Sequence, residues 1–175
     1  VSDLFNTSSA EFSKCGTYRF ELRRIWDNRR PPLVFVMLNP STADAHTDDP
    51  TVARCRGRAW DGGYGGLVVV NIFALRSTDP IALRTADDPI GPDNDHWIMH
   101  CARGAGRVVC AWGAHGNNDG RGEAVRKMLT DAGIRLHALG FTMKGEPRHP
   151  LYVRSDEPLV RWITPFVMYG DRSNV

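Results

Sequence analysis

From Thr17 to Trp26 the chain alternates, with Tyr18, Phe20 and Leu22 set against Arg19, Glu21 and Arg23. That period of two predicts a half-buried strand, antiparallel or at a sheet edge, behind a loose polar lead-in over residues 1–14. After the Pro31-Pro32 breaker the pattern changes. Leu33 to Leu38 is a continuous, β-branched apolar run, which suits a strand covered on both faces. Three further apolar runs predict strands at Leu67–Asn71, Arg107–Trp112 and Ile134–Leu139. Helices fall between them. One is expected from about Pro50 to Trp60, opened by an acidic cap before a proline and closed by Gly62, Gly63, Gly65 and Gly66. A second runs from Pro92-Asp93 to about Arg103. A third, Gly122 to Ala132, carries Val125, Met128, Leu129 and Ala132 at helical spacing and ends at Gly133. A last helix is predicted from about Glu157 to Phe166, capped by Ser155 or Asp156.

Strands alternating with helices predict a single α/β domain over residues 1–175, a three-layer α/β/α sandwich with a short, mostly parallel four-stranded core sheet. In such a sheet the loops after the first three core strands emerge at one edge, where these folds bind ligands. Those loops carry Asn39-Pro40, Asn71 and Trp112-Gly113.

Composition narrows the class. Hydrophobic content of 42% and charged content of 24% are ordinary for a globular chain of 175 residues. No apolar run approaches the roughly 20 residues that cross a bilayer, and residues 1–14 lack a secretory pattern, so a cytoplasmic location is expected. Cys15, Cys55, Cys101 and Cys110 form no CxxC pair and sit in or beside apolar segments, which predicts reduced thiols without structural zinc. His96 and His100 have i, i+4 spacing but no third ligand, so no metal is assigned, and no cofactor is expected. The formal charge of +2 conceals an uneven distribution. Acids gather between Asp44 and Asp95, and bases in the last third, so a polyanion is expected to meet the later part of the fold.

Each candidate site residue has an ordinary structural role to weigh against a chemical one. Asn39-Pro40-Ser41 fits a turn and cap, yet a polar amide that ends a buried apolar strand is costly unless it is used. Asn71 repeats the case one strand later, with donors and an acceptor suited to the edge of a planar heterocycle. Trp112 suits core packing and His149-Pro150 suits a loop turn. Their combination is what points to a site.

The strings MLNPSTAD, DDPT, GYGG, VNIFALRSTDP, DPIGPDND, AWGAHG and HPLY make the chain resemble, over nearly its whole length, the bacterial and phage family called domain of unknown function 1643. A second resemblance carries a function. An NP loop after the first core strand, an Asn after the second, a WG after the third and an HP loop after the fourth are similar in order to the uracil-DNA glycosylase superfamily. That likeness implies a glycosylase-like fold. Asn39 would position the hydrolytic water, with Pro40 and Ser41 beside the substrate, and His149 would donate to the departing base. Asn71 would read a flipped pyrimidine, with Tyr64, Phe73 or Trp112 as the stacking face. Leu151 and Tyr152 would enter the duplex, and Lys144, Arg148 and Arg154 would contact phosphates.

The function expected from this resemblance is hydrolysis of the N-glycosidic bond of a damaged or modified pyrimidine in DNA, single- or double-stranded. Three alternatives stand beside it: a hydrolase or transferase for free nucleosides or nucleotides, a non-catalytic modified-base or nucleic-acid sensor, and a metal-dependent nuclease using Asp44, Asp48 and Asp49.

Overall fold

The computed structural model describes residues 7–79 and 81–163. A seven-stranded mixed sheet forms the middle layer, built from β1 (Thr7–Phe12), β2 (Arg19–Ile25), β3 (Leu33–Met37), β4 (Gly66–Asn71), β5 (Arg107–Cys110), β6 (Leu136–Ala138) and β7 (Val160–Arg161). Its order is β1-β2-β4-β3-β5-β6-β7. The four central strands, β4, β3, β5 and β6, pair in parallel, while β1, β2 and β7 are antiparallel to their neighbours. The expected parallel strands therefore sit inside a larger mixed sheet.

Burial on both faces explains why the central strands are apolar throughout. On one face Val34, Val36, Val68, Val70, Val108 and Cys110 pack under α3 (Asn94–Arg103) and α4 (Arg121–Asp131). On the other, Leu33, Phe35, Met37, Leu67, Val69 and Val109 pack under α1 (Pro50–Asp61). The chain is an α/β domain of three layers. A one-turn α2 (Ala82–Thr85) lies in the long connection after β4. Asp49 caps α1 by accepting from the Val52 N–H at 2.8 Å, with Pro50 in the first turn. No helix among the described residues is long and apolar enough to cross a membrane.

Three expectations fail, each for a physical reason. The polar lead-in contains β1, because Thr7–Phe12 finds backbone partners along β2 and needs no apolar face at the sheet edge. The segment from Glu157 begins no helix. Instead Val160 and Arg161 pair antiparallel with Ala138 and His137, because the outer side of β6 offers backbone groups that a short extended segment satisfies, and residues 164–166 of the predicted helix lie outside the described residues. The simple alternation of β2 also breaks. Pairing steps from Glu11↔Glu21 to Phe12↔Arg19, leaving Phe20 as an extra residue, a β-bulge. Phe20 then stacks on Trp97 of α3 and Glu21 accepts from Cys101 of α3, so two successive side chains serve one face. Arg19 is thrown onto the other, where it donates to the Ala43 carbonyl at 2.6 Å.

Candidate functional site

β3 and β4 end in register, Met37 opposite Asn71, and the chain after each continues the ladder through Ile72 N–H to Met37 O and Phe73 N–H to Leu38 O. Asn39 emerges just beyond. Its Nδ2 donates to the carbonyls of Pro40 (3.1 Å) and Ser77 (2.8 Å). Two carbonyls on one side of the amide can be satisfied only by the NH2 group, so the orientation is determined and Oδ1 remains an acceptor.

Asn39, Ser41, Asn71 and His149 line one cavity of about 180 Å³ at the carboxyl ends of β3 and β4, on the α1 side of the sheet. Arg19, Asp49, Thr51, Ser77 and Thr78 complete its polar lining. Asn71 is 1% exposed, and its Nδ2 has no hydrogen-bond partner. A buried donor left unpaired costs about 1–3 kcal/mol. The neighbouring Asn94 donates its Nδ2 to the Asn71 and Ile72 carbonyls, and its own buried Oδ1 is likewise without a partner.

His149 stands where this cavity meets a wider cleft of about 490 Å³, since it lines both. Its Nδ1 accepts from the Leu151 N–H at 3.3 Å, capping the 3-10 turn Pro150–Tyr152. Burial holds the imidazole below its ordinary value near 6.5, against an opposing pull from Asp49, so the ring is neutral at pH 7. A neutral ring that accepts at Nδ1 carries its proton on Nε2, and is a donor there. Gly113 makes room for this loop: its φ of +75° is left-handed, and a Cβ added there would lie 3.4 Å from His149 Cβ.

The wider cleft is lined by Leu38, Trp112, His115, Arg148, His149 and Tyr152. Trp112 is a wall more than a stacking platform. It is 1% exposed, its Nε1 donates to Glu146 Oε2 at 2.8 Å, and its ring packs beside Trp162. Tyr152, 80% exposed, and Leu151, 39% exposed, project at the rim. Tyr152 rests against the His149 ring at 5.7 Å. Pro40 is buried and presents its carbonyl to Asn39 and to the Ser77 N–H.

Other expected site residues lie elsewhere. Tyr64 is at the amino-terminal ends of the strands, beside Pro31 and Gly106 (a Cβ on Gly106 would lie 3.1 Å from both Tyr64 and Pro31), because the glycine turn that carries it precedes β4. Phe73 is 3% exposed and packs in the core on the α3 side, since the residue after a buried strand still belongs to that core. Of the basic residues, Arg148 lines the cleft. Lys144 sits in the exposed turn closed by Gly145 N–H to Thr142 O, and Arg154 is ion-paired with Asp156 at 2.9 Å. The acids near the first loop are occupied in the fold. Asp44 accepts from the His46 and Thr47 N–H groups, Asp48 pairs with Arg24 and Arg56, and Asp49 caps α1. Among the described residues no group of three or more His, Cys, Asp or Glu is placed to hold a metal. Cys55, Cys101 and Cys110 are buried free thiols, and Cys15 is an exposed one.

Arg19 is the residue that sequence reasoning missed. Its position in the alternation of β2 places it on the polar side with Glu21 and Arg23, and only the bulge redirects it to the cavity. The signal in the sequence was weak: an Arg flanked by aromatic residues in a strand that is otherwise half apolar.

The family described as "Protein of unknown function (DUF1643)" matches residues 19–151. No curated protein and no solved structure matches the chain.

Proposed function

Since the chain belongs to the DUF1643 family, whose description assigns no activity, function has to come from the site, and we propose a glycosylase-like hydrolase acting on a damaged or modified pyrimidine in DNA. One observation carries this proposal. Asn39, Asn71 and His149, contributed by three separate loops, line a single cavity. The four parallel strands, in the order β4-β3-β5-β6, with these loops at their carboxyl ends, agree with the glycosylase-like architecture that the motifs imply.

The chemistry follows from the side chains. Asn71 Nδ2, unpartnered, offers a hydrogen bond to a carbonyl oxygen on the base edge. His149 Nε2–H suits the other base oxygen, where charge builds as the C1′–N bond breaks and its electron pair leaves with the base. Asn39 Oδ1, held by the two bonds its amide makes, orients a water for attack at C1′. The water's hydroxyl bonds to C1′, one proton passes to solvent, and the departing base takes up a proton. An amide is no general base, so rate comes from position and from the stability of the leaving base.

A free nucleoside or nucleotide as substrate is favoured by a different observation: of the three basic residues expected at phosphates, Arg148 alone lines the cleft, while Arg154 is engaged with Asp156. Incubating the protein with oligonucleotides that carry a panel of modified pyrimidines, and with the matching free nucleosides, tests both. Free base and alkali-labile sites from an oligonucleotide are the expected result. Base released from nucleosides alone moves the substrate to the free form, and release from neither overturns the hydrolase.

A further inference from the structure

We infer that Arg19 makes this cavity a receptor for an oxyanion, so that the preferred ligand carries a carboxylate or a phosphate as well as a ring. Four facts support this. Arg19 is 2% exposed, and among the described residues its guanidinium takes part in no ion pair with a carboxylate. Its one side-chain hydrogen bond is from Nη1 to the Ala43 carbonyl, while Nε is buried without a partner. A second unpartnered donor, Asn71 Nδ2, belongs to the same cavity. Finally, the bulge in β2 exists at the one residue that turns Arg19 inward, as bulges beside functional sites re-aim side chains.

The contrast with Arg24, five residues along the same strand, shows what an arginine with a structural role looks like here. Arg24 donates to Asp48 at 3.0 Å and to the Arg23 and Asp44 carbonyls. Its charge is answered within the fold. Arg19 has no such carboxylate contact among the described residues: burial lowers its pKa to about 10 against the pull of Asp49 and Asp44, which leaves it protonated at pH 7. A buried guanidinium with free N–H groups is best matched by a planar or tetrahedral oxyanion, which it binds by a pair of charge-assisted hydrogen bonds. Asp49, a carboxylate on the cavity wall, spends an oxygen on the Val52 N–H and attracts Arg19 without an ion-pair contact among the described residues. The hydroxyls of Ser41 and Thr51 lie along the same wall, while that of Ser77 is spent on the Asp79 carbonyl.

Size limits what fits. Pockets that enclose a whole small ligand run to about 300–1,000 Å³. The inner 180 Å³ therefore admits one ring or one anionic group with its immediate attachment, and the remainder of the ligand extends past His149 into the 490 Å³ cleft. This inference rests on the same cavity as the glycosylase proposal, but on no bond being cleaved.

Calorimetric titration separates the two. The probes are uracil, 5-carboxyuracil, 2′-deoxyuridine 5′-monophosphate and inorganic phosphate, each added to the intact protein and to Arg19→Gln, Arg19→Lys and Asn71→Asp. The expected result is that an anionic probe binds at least about tenfold tighter than uracil. Arg19→Gln should remove that preference, Arg19→Lys should keep part of it, and Asn71→Asp should abolish it by placing a carboxylate in the cavity while Arg19 stays intact. The carboxylated ring and the phosphate arms report which kind of anion is read. If phosphate binds through Arg19 and no pyrimidine does, the oxyanion site stands and the base-reading proposal falls. If uracil binds as tightly as its anionic forms and the variants do not alter the ratio, the oxyanion site is overturned. Binding of none of the probes to the intact protein overturns it too, and so does an anion preference that survives Arg19→Gln or Asn71→Asp undiminished.

Discussion

Asn39 is held by its amide, and two consequences can be measured. Asn39→Ala removes the acceptor that orients water, so under the proposed mechanism turnover should fall by about 100-fold while base affinity changes little. Steady-state rates beside equilibrium binding decide this, and an equal loss in both would make Asn39 a structural residue. Asn39→Asp should not improve catalysis, although it supplies a base, because its carboxylate would face the Ser77 carbonyl and repel it. His149 gives a pH dependence of definite sign. Burial depresses its folded-state pKa below 6.5, so the unfolded chain takes up the proton first as pH falls. Its contribution to stability is complete above about pH 6.5 and is lost as pH falls from there through the folded pKa. Protonation at Nδ1 also replaces the acceptor for Leu151 N–H with a donor, which undoes the cap of the turn. Turnover and melting temperature should therefore both decline below pH 6.5, and His149→Asn should lack that part of the decline.

At the scale of elements, α1 and the bulged strand β2 deliver the two charged walls of the cavity. Asp49 belongs to the helix as its cap: Asp49→Ala should cost about 1 kcal/mol by chemical denaturation, the ordinary value of a lost N-cap. Asp49→Ser, which restores a cap acceptor without the charge, should recover most of that stability. A cost well above 2 kcal/mol would mean that Asp49 also compensates Arg19. The β2 bulge shows why elements are legible more readily than the directions of their side chains. Pattern placed a strand at Thr17–Trp26 and put Arg19 on the solvent side, and the strand is present at Arg19–Ile25 with Arg19 buried. One extra residue on a strand leaves its composition untouched and reverses the face of everything before it.

For the whole molecule, the seven-stranded sheet gathers the loops of the parallel strands at one edge and leaves the last third of the chain around the cleft. Charge at that rim governs the response to salt. If DNA is the partner, Arg148→Ala should flatten the dependence of log K on log salt by close to one phosphate contact, about 0.9 in slope for duplex DNA. Arg154→Ala should change it less, because Arg154 is paired with Asp156. Equal slopes for wild type and Arg148→Ala would count against a polyanion at this face.

By itself the sequence determined the α/β class, the four apolar strands, the capped helix α1 and the loops that carry Asn39, Asn71 and His149, because each depends on local periodicity, burial or capping chemistry. It also showed that a polar amide follows each of two successive apolar runs, which pairing then made neighbours in the sheet. Tertiary structure alone decided which of the remaining side chains join them. Tyr64 and Phe73 have the aromatic character a base site uses, but chain direction sends the first to the far end of the sheet and core packing claims the second. Trp112 is turned into a wall by a bond to Glu146, thirty-four residues later. Short antiparallel edges such as β1 and β7 follow from free backbone groups on a neighbouring strand, which no local pattern announces. Arg19 enters the cavity through a shift in register, a property of two strands paired together that neither possesses alone.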